Sequence, residues 1–183
     1  MGQSGTKALS LAAVVAALAA LAVPVAAAPA TGHSRTAHVA LSSLESGVLQ
    51  QINATRRSHG LRPVRINPEL TAAADSHSRE MGSIGYFQHE SYDGTAFWKR
   101  ITRWYGSSGY GLWSVGENLL WSSPDVRPAG ALDMWMNSPE HRANILTPRW
   151  REVGISAVHV LGAPGTYDGR TVTIITTDFG IRR

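Results

Sequence analysis

The sequence predicts an α+β domain with a small antiparallel sheet. From Ser43 to Leu146, apolar residues recur largely at helical spacing, with Ser, Asn, Pro and Gly at the breaks. From Glu152 to Phe179, β-prone stretches flank turn-forming glycines. Helices first and a hairpin last belong to the α+β class rather than to an alternating βαβ pattern. No internal repeat is present.

Residues 1–28 stand apart. Lys7 is their only charge, and Ala8 to Ala28 is an Ala/Leu/Val run ending in small residues. A basic start, an apolar stretch and a small-x-small end describe an export signal, with cleavage favoured after Ala27. An uncleaved anchor is the alternative, because the run is just long enough to span a bilayer. The Met-Gly-Gln-Ser-Gly-Thr start matches a myristoylation pattern, but the export signal behind it makes that match accidental. Residues 29–42 are small, polar and aperiodic and are read as a linker, with His33 and His38 in solvent.

What remains is the length of one domain. A chain of that size buries about two-thirds of its unfolded surface and needs no covalent staples. There are no cysteines, so an exported form relies on its core alone. Without Lys7, 16 basic residues face 13 acidic ones, and no run of five basic residues occurs. Such a mild, dispersed charge does not indicate nucleic acid binding.

The first helix is expected over about Ser43 to His59, with Leu44, Val48, Ile52 and Thr55 inward, Gly60 beyond its end and Arg56-Arg57 serving the helix dipole. Leu61 to Ile66 is extended. Asn67-Pro68-Glu69 opens a second helix with a cap followed by proline at the first helical position. Leu70, Ala73, Ala74, His77 and Met81 mark its inner face, and it stops near Ile84-Gly85. His77 is expected to be a hydrogen-bonded core residue. Phe97, Ile101 and Trp104 mark a short third helix. Ser123-Pro124 is expected to cap a fourth that runs to about Asn137, with Pro128 shortening or kinking it. Ala131, Leu132, Trp135 and Met136 face inward.

Trp135 through Leu146 reads as a helix end, a tight break and a new helix. Ser138 is a good N-cap, Pro139 suits the first helical position, and Glu140 complements the dipole. This corner holds His141 near a helix start. Glu152 to Val160 reads as a half-buried strand, Asp168-Gly169 as a hairpin tip, and Thr171 to Phe179 as its β-prone partner.

Three polar groups interrupt apolar surroundings. His89 follows Tyr86 and Phe87 in an ordered loop. Glu117 and Asn118 sit inside the apolar stretch Val115 to Trp121, where a carboxylate is costly unless paired or coordinating. His141 occupies the corner. No HExxH and no GxSxG occurs. The loop from Gly106 to Trp113 offers Tyr110 and Trp113 as ligand-contacting aromatics.

Phe87-Gln88-His89, Gly116-Glu117-Asn118 and Trp135 through Leu146, in that order, resemble the bacterial branch of the CAP superfamily (cysteine-rich secretory protein, antigen 5 and pathogenesis-related 1; the SCP domain). The resemblance covers about Leu44 to Phe179, so residues 43–183 are taken as one CAP domain. It implies an α–β–α sandwich, and it implies that His89, His141 and Glu117 share a cleft, something spacing alone does not bring about. The family's second acidic residue stands three positions after the helix tryptophan; here that position is Ser138, so the four-residue set is incomplete. Glu140 or Glu90 remain as spatial substitutes.

Two imidazoles and a carboxylate suit zinc or another divalent cation. His89 and His141 would each give one ring nitrogen, and Glu117 would bind water or hold a histidine from behind. Such an open site is expected to be weak and to be lost below about pH 6. Three functions follow. The first is an exported monomeric module that binds a lipid, sterol, peptide or envelope ligand and requires no cofactor. The second is a metal-assisted hydrolase with Glu117 as general base. The third is a non-catalytic envelope protein in which Glu117 and the histidines form a structural network. Trp135, Ser138 and Asn118 are assigned structural roles.

Overall fold

The structure, a computed structural model, describes residues 41–183. The segment read as an export signal, 1–28, and the part of the expected linker up to residue 40 lie outside the described residues. In chain order the elements are α1 (Ser43–Ser58), β1 (Arg65–Ile66), α2 (Pro68–Ile84), α3 (Phe97–Thr102), β2 (Trp113–Ser122), α4 (Pro128–Met136), α5 (Pro139–Ile145), β3 (Glu152–Ala163), a 3₁₀ turn (Gly165–Tyr167) and β4 (Arg170–Arg182).

Four strands form one sheet in the order β1-β3-β4-β2. The expected hairpin of β3 and β4 pairs antiparallel, and β2 joins β4 antiparallel on its other side. The two residues of β1 run parallel to β3, which makes the sheet mixed. Side chains alternate between its faces. Ile175 and Phe179 of β4 join Val48 and Ile52 of α1, Ala131 and Trp135 of α4 and Ile145 of α5 in one core. Val172 and Ile174 pack with Met81 of α2 on the other side. Leu70 and Ala73 of α2 cluster with Ile101 of α3 and Tyr105. The result is three layers: α1, α4 and α5; the sheet; α2 and α3.

Local chemistry explains the helices. Ser42 and Glu45 form a reciprocal capping box at the start of α1. The Asn67 side chain accepts from the Glu69 and Leu70 amides at 2.9 and 3.1 Å, with Pro68 next to it. The whole expected inner face of α2 is buried, including His77. Gly154 lets α2 approach the sheet closely, because a Cβ there would run into the Leu70 and Thr71 backbone.

Several expectations are corrected. Arg56 does not merely serve its own helix dipole. It is fully buried, and its guanidinium donates to the carbonyls of Arg62, Ile145 and Thr147, so it caps the end of α5. Trp104 is 47% exposed, because α3 ends at Thr102 before that residue can turn inward. The fourth helix starts at Pro128, not at Ser123-Pro124; lacking an N–H, Pro128 fits the first helical position and not the interior. Ser138 occupies the N-cap of α5 by backbone position, but its hydroxyl makes no capping bond. Val115 to Trp121, read only as an apolar stretch, lies in a ten-residue strand at the sheet edge, Trp113–Ser122, which also takes in the last residue of the expected loop.

Candidate functional site

β2 positions the site. Its alternation sends Glu117 to the α2/α3 face and Asn118 to the α4/α5 face. Glu117 lies directly across from Asp178 of β4. Its side chain is fully buried, and both oxygens are engaged. Oε1 meets His89 Nδ1 at 2.8 Å. Oε2 pairs with the guanidinium of Arg100, which comes from α3 and is itself buried.

Arg100 also donates to the His89 carbonyl at 2.9 Å. His77 Nε2 lies 3.0 Å from the Gln88 carbonyl, the other anchor of this loop. Burial depresses the His77 pKa to about 3, so the ring is neutral, and Nε2–H is the donor. His89 is thus held by its ring, by its own carbonyl and by the residue before it.

Asp178 is completely buried, and its carboxyl accepts from no donor among the described residues; the polar group it meets is the Glu117 carboxyl. Burial, and then the neighbouring Glu117, raise its pKa well above the carboxylate range. Burial also raises Glu117, to about 7, against the opposing pull of Arg100. With Arg100 and His89 both on Glu117, the charge belongs there and the proton belongs on Asp178. The His89 pKa is lowered, chiefly by burial, so a neutral ring donates Nδ1–H to Glu117. Its Nε2 then carries the free lone pair and points away from the buried acid.

His141 arrives from the opposite layer. Asn118 Nδ2 donates to its carbonyl at 3.1 Å, and Trp135 Nε1 donates back to the Leu119 carbonyl at 3.0 Å. These two bonds tie the α4–α5 corner to the edge strand. Asn144 Nδ2 donates to Asn118 Oδ1 at 2.9 Å and completes the tie. The His141 pKa is lowered by burial and then by His89, so the two imidazoles lie close enough to sense each other's charge. Beside His141 opens an apolar hollow of about 280 Å³, lined by Phe87, Leu119, Trp121, Met134 and Ser138 among others.

The structure therefore joins His89 to Glu117 directly and brings His141 to the same edge strand without bonding it to either. Among the described residues no three His, Asp or Glu side chains form a metal-holding group. As a ligand Glu117 does not fit, because Arg100 and His89 take both its oxygens. Glu117 instead orients His89 from behind, through the 2.8 Å contact to Nδ1. Neither Glu90 nor Glu140 makes a hydrogen bond or ion pair to the histidines among the described residues.

Tyr110 and Trp113 lie elsewhere. Tyr110 sits against the Arg182 guanidinium at 5.0 Å, and Trp113 donates to the Tyr105 carbonyl. Trp113 is four residues along β2 from Glu117, about 13 Å away at strand rise. Arg100 and Asp178 were missed by sequence reasoning. The one available signal for Arg100 was its place beside Ile101 on a short helix. Asp178 stood visible as a lone acid in the most β-prone run of the chain.

The chain belongs to the CAP family, the cysteine-rich secretory protein family, whose model matches residues 49–168. It is 31% identical over 128 residues to the uncharacterized protein YkwD of Bacillus subtilis (strain 168), a match that takes in 70% of this chain and 48% of that one. The chain thus spans about half the length of this curated relative. An extracellular SCP-domain protein of Bacillus anthracis superposes with a TM-score of 0.54 at 28% identity, over 80% of this chain and 45% of that one. An outer surface protein of Borrelia burgdorferi superposes with a TM-score of 0.57 at 20% identity, over 74% and 90% of the two chains, and shows the shared fold.

Proposed function

We propose that this chain is an exported, monomeric binding module, and that its cleft takes the apolar part of a lipid, sterol, peptide or envelope ligand while His89 and His141 hold a divalent cation weakly. Export is supported by the basic-then-apolar segment at residues 1–28 and by similarity to an extracellular and an outer surface protein. No helix among the described residues is long and apolar enough to cross a membrane.

One observation carries the choice of binding over hydrolysis: both carboxylate oxygens of Glu117 are engaged, and its side chain is fully buried. A general base needs an oxygen within reach of the proton it removes. Glu117 presents none, because Arg100 and His89 occupy both of its oxygens. Its chemistry is to orient His89. Bound zinc would act as a Lewis acid on whatever polar head the ligand carries. The chain's part is to present one ring nitrogen from each layer and an apolar wall.

Isothermal titration with zinc at neutral pH tests this reading. Saturable binding that disappears in His89→Ala/His141→Ala and weakens about 10–100-fold in Glu117→Gln supports it. No binding, or equal binding in the double variant, refutes the cation site. Peptide or ester hydrolysis abolished by Glu117→Gln, with the fold intact, would establish the hydrolase instead.

A further inference from the structure

Fifteen of the 17 basic residues are arginines, dispersed along the sequence. The fold gathers four of them at one end of the sheet. Parallel pairing sets Arg65 of β1 against Glu152 of β3, and antiparallel pairing sets Glu152 against Gly180, near the end of β4. Arg65, Arg151, Arg182 and Arg183, with Tyr110 and Glu152, line a hollow of about 360 Å³.

The guanidinium groups are held to different degrees. Arg151 Nη1 donates to the carbonyls of Pro148, Arg149 and Trp150 at 2.9, 3.2 and 2.7 Å. Its Nε and Nη2 have no partner among the described residues. Arg182 lies 4.1 Å from the Tyr105 ring and 5.0 Å from the Tyr110 ring, and it pairs with Glu69. Arg65, Arg151 and Arg183 form no ion pair among the described residues. The one acid in the hollow, Glu152, already accepts from Asn67 and from the Tyr105 hydroxyl.

Like charges converge only where something offsets their repulsion. Here two carboxylates, Glu152 in the hollow and Glu69 on Arg182, stand against four guanidinium groups, and the surplus is carried by arginine. Arginine's planar fork matches an oxyanion bidentately, which a lysine point charge does not. Three unpaired guanidinium groups exceed what one carboxylate neutralises, and they suit the higher charge of a phosphate group. We propose that this arginine-lined hollow binds a phosphate-bearing ligand, independently of the histidine cleft.

The test is isothermal titration of the chain with inorganic phosphate and with poly(glycerol phosphate), against polyglutamate at matched ionic strength. Saturable binding of either phosphate probe is expected, with at least a tenfold loss in Arg65→Gln/Arg183→Gln. Both positions are exposed, so the double variant should keep the parent's circular dichroism spectrum and melting temperature. Arg151→Lys keeps the charge but loses the fork, and it should weaken binding as well. Tighter binding of the polymer assigns a phosphodiester chain, and binding of inorganic phosphate alone assigns a small phosphorylated ligand. The proposal is overturned if neither probe binds, if polyglutamate binds as well as the polymer, or if the double variant binds like the parent.

Discussion

Glu117 and Asn118 are neighbours in β2 yet serve opposite layers of the sandwich. Glu117 binds the loop histidine His89 on the α2/α3 face, while Asn118 holds the His141 carbonyl on the α4/α5 face. A strand's two-residue repeat thereby lets one dipeptide tie both helical layers to the sheet edge.

Removing the Asn118 side chain should loosen only one of these ties. Asn118→Ala leaves the His141 carbonyl and the Asn144 amide without these partners in a part-buried setting. It should cost about 1–3 kcal/mol in urea unfolding. The imidazole NMR signals of His141 should shift more than those of His89.

Trp135 is 1% exposed and bonds the Leu119 carbonyl. Trp135→Ala should cost about 3–5 kcal/mol, from the lost burial and the cavity left behind. A loss under 1 kcal/mol in denaturant melts would contradict its place at the centre of the larger core.

The Arg100–Glu117 pair is buried, so breaking it strands a charge. Arg100→Met alone should destabilise by about 3–5 kcal/mol. Arg100→Met with Glu117→Gln should cost clearly less than the sum of the two single changes. Strict additivity in a double-mutant cycle would show that the pair is not coupled.

Stability should depend on pH through groups of opposite sign. His77, with its native pKa near 3 against an ordinary 6.5, binds its proton more readily when unfolded. Its contribution is complete above pH 6.5 and is lost as pH falls toward 3. The depressed His89 and His141 act in the same direction. Glu117 and Asp178, with raised values, act the other way: their protonated native forms favour folding at low pH, and for Glu117 this is lost as pH rises through about 7. Comparison of His77→Gln with the parent isolates one contribution. The parent's advantage over His77→Gln should shrink by about 3 kcal/mol between pH 7 and pH 4. A constant difference would mean that His77 titrates normally.

Local signals made much of this fold legible. The cap at Asn67-Pro68, the 3.6-residue stripe of α2 and the Pro139 helix start are properties of a few adjacent residues, and each formed where expected. The resemblance pointed to Glu117 and His89, which the structure joins directly. The partners of Glu117 were not legible, because Arg100 and Asp178 reach it through strand register and helix packing across separate parts of the chain. Arg56 shows the same limit. Its place in the last turn of α1 was visible, but the Ile145 and Thr147 carbonyls that justify burying it lie 89 and 91 residues away.

The central claim is that Glu117 orients His89 as a neutral ring with its proton on Nδ1 and Nε2 left free. Long-range proton–nitrogen NMR of the imidazoles at pH 7.5 reads this directly. The expected result is a His89 Nδ1–H tautomer that titrates below 6.5 and loses its tautomeric preference in Glu117→Gln. A His89 protonated on Nε2, or charged at that pH, would contradict it.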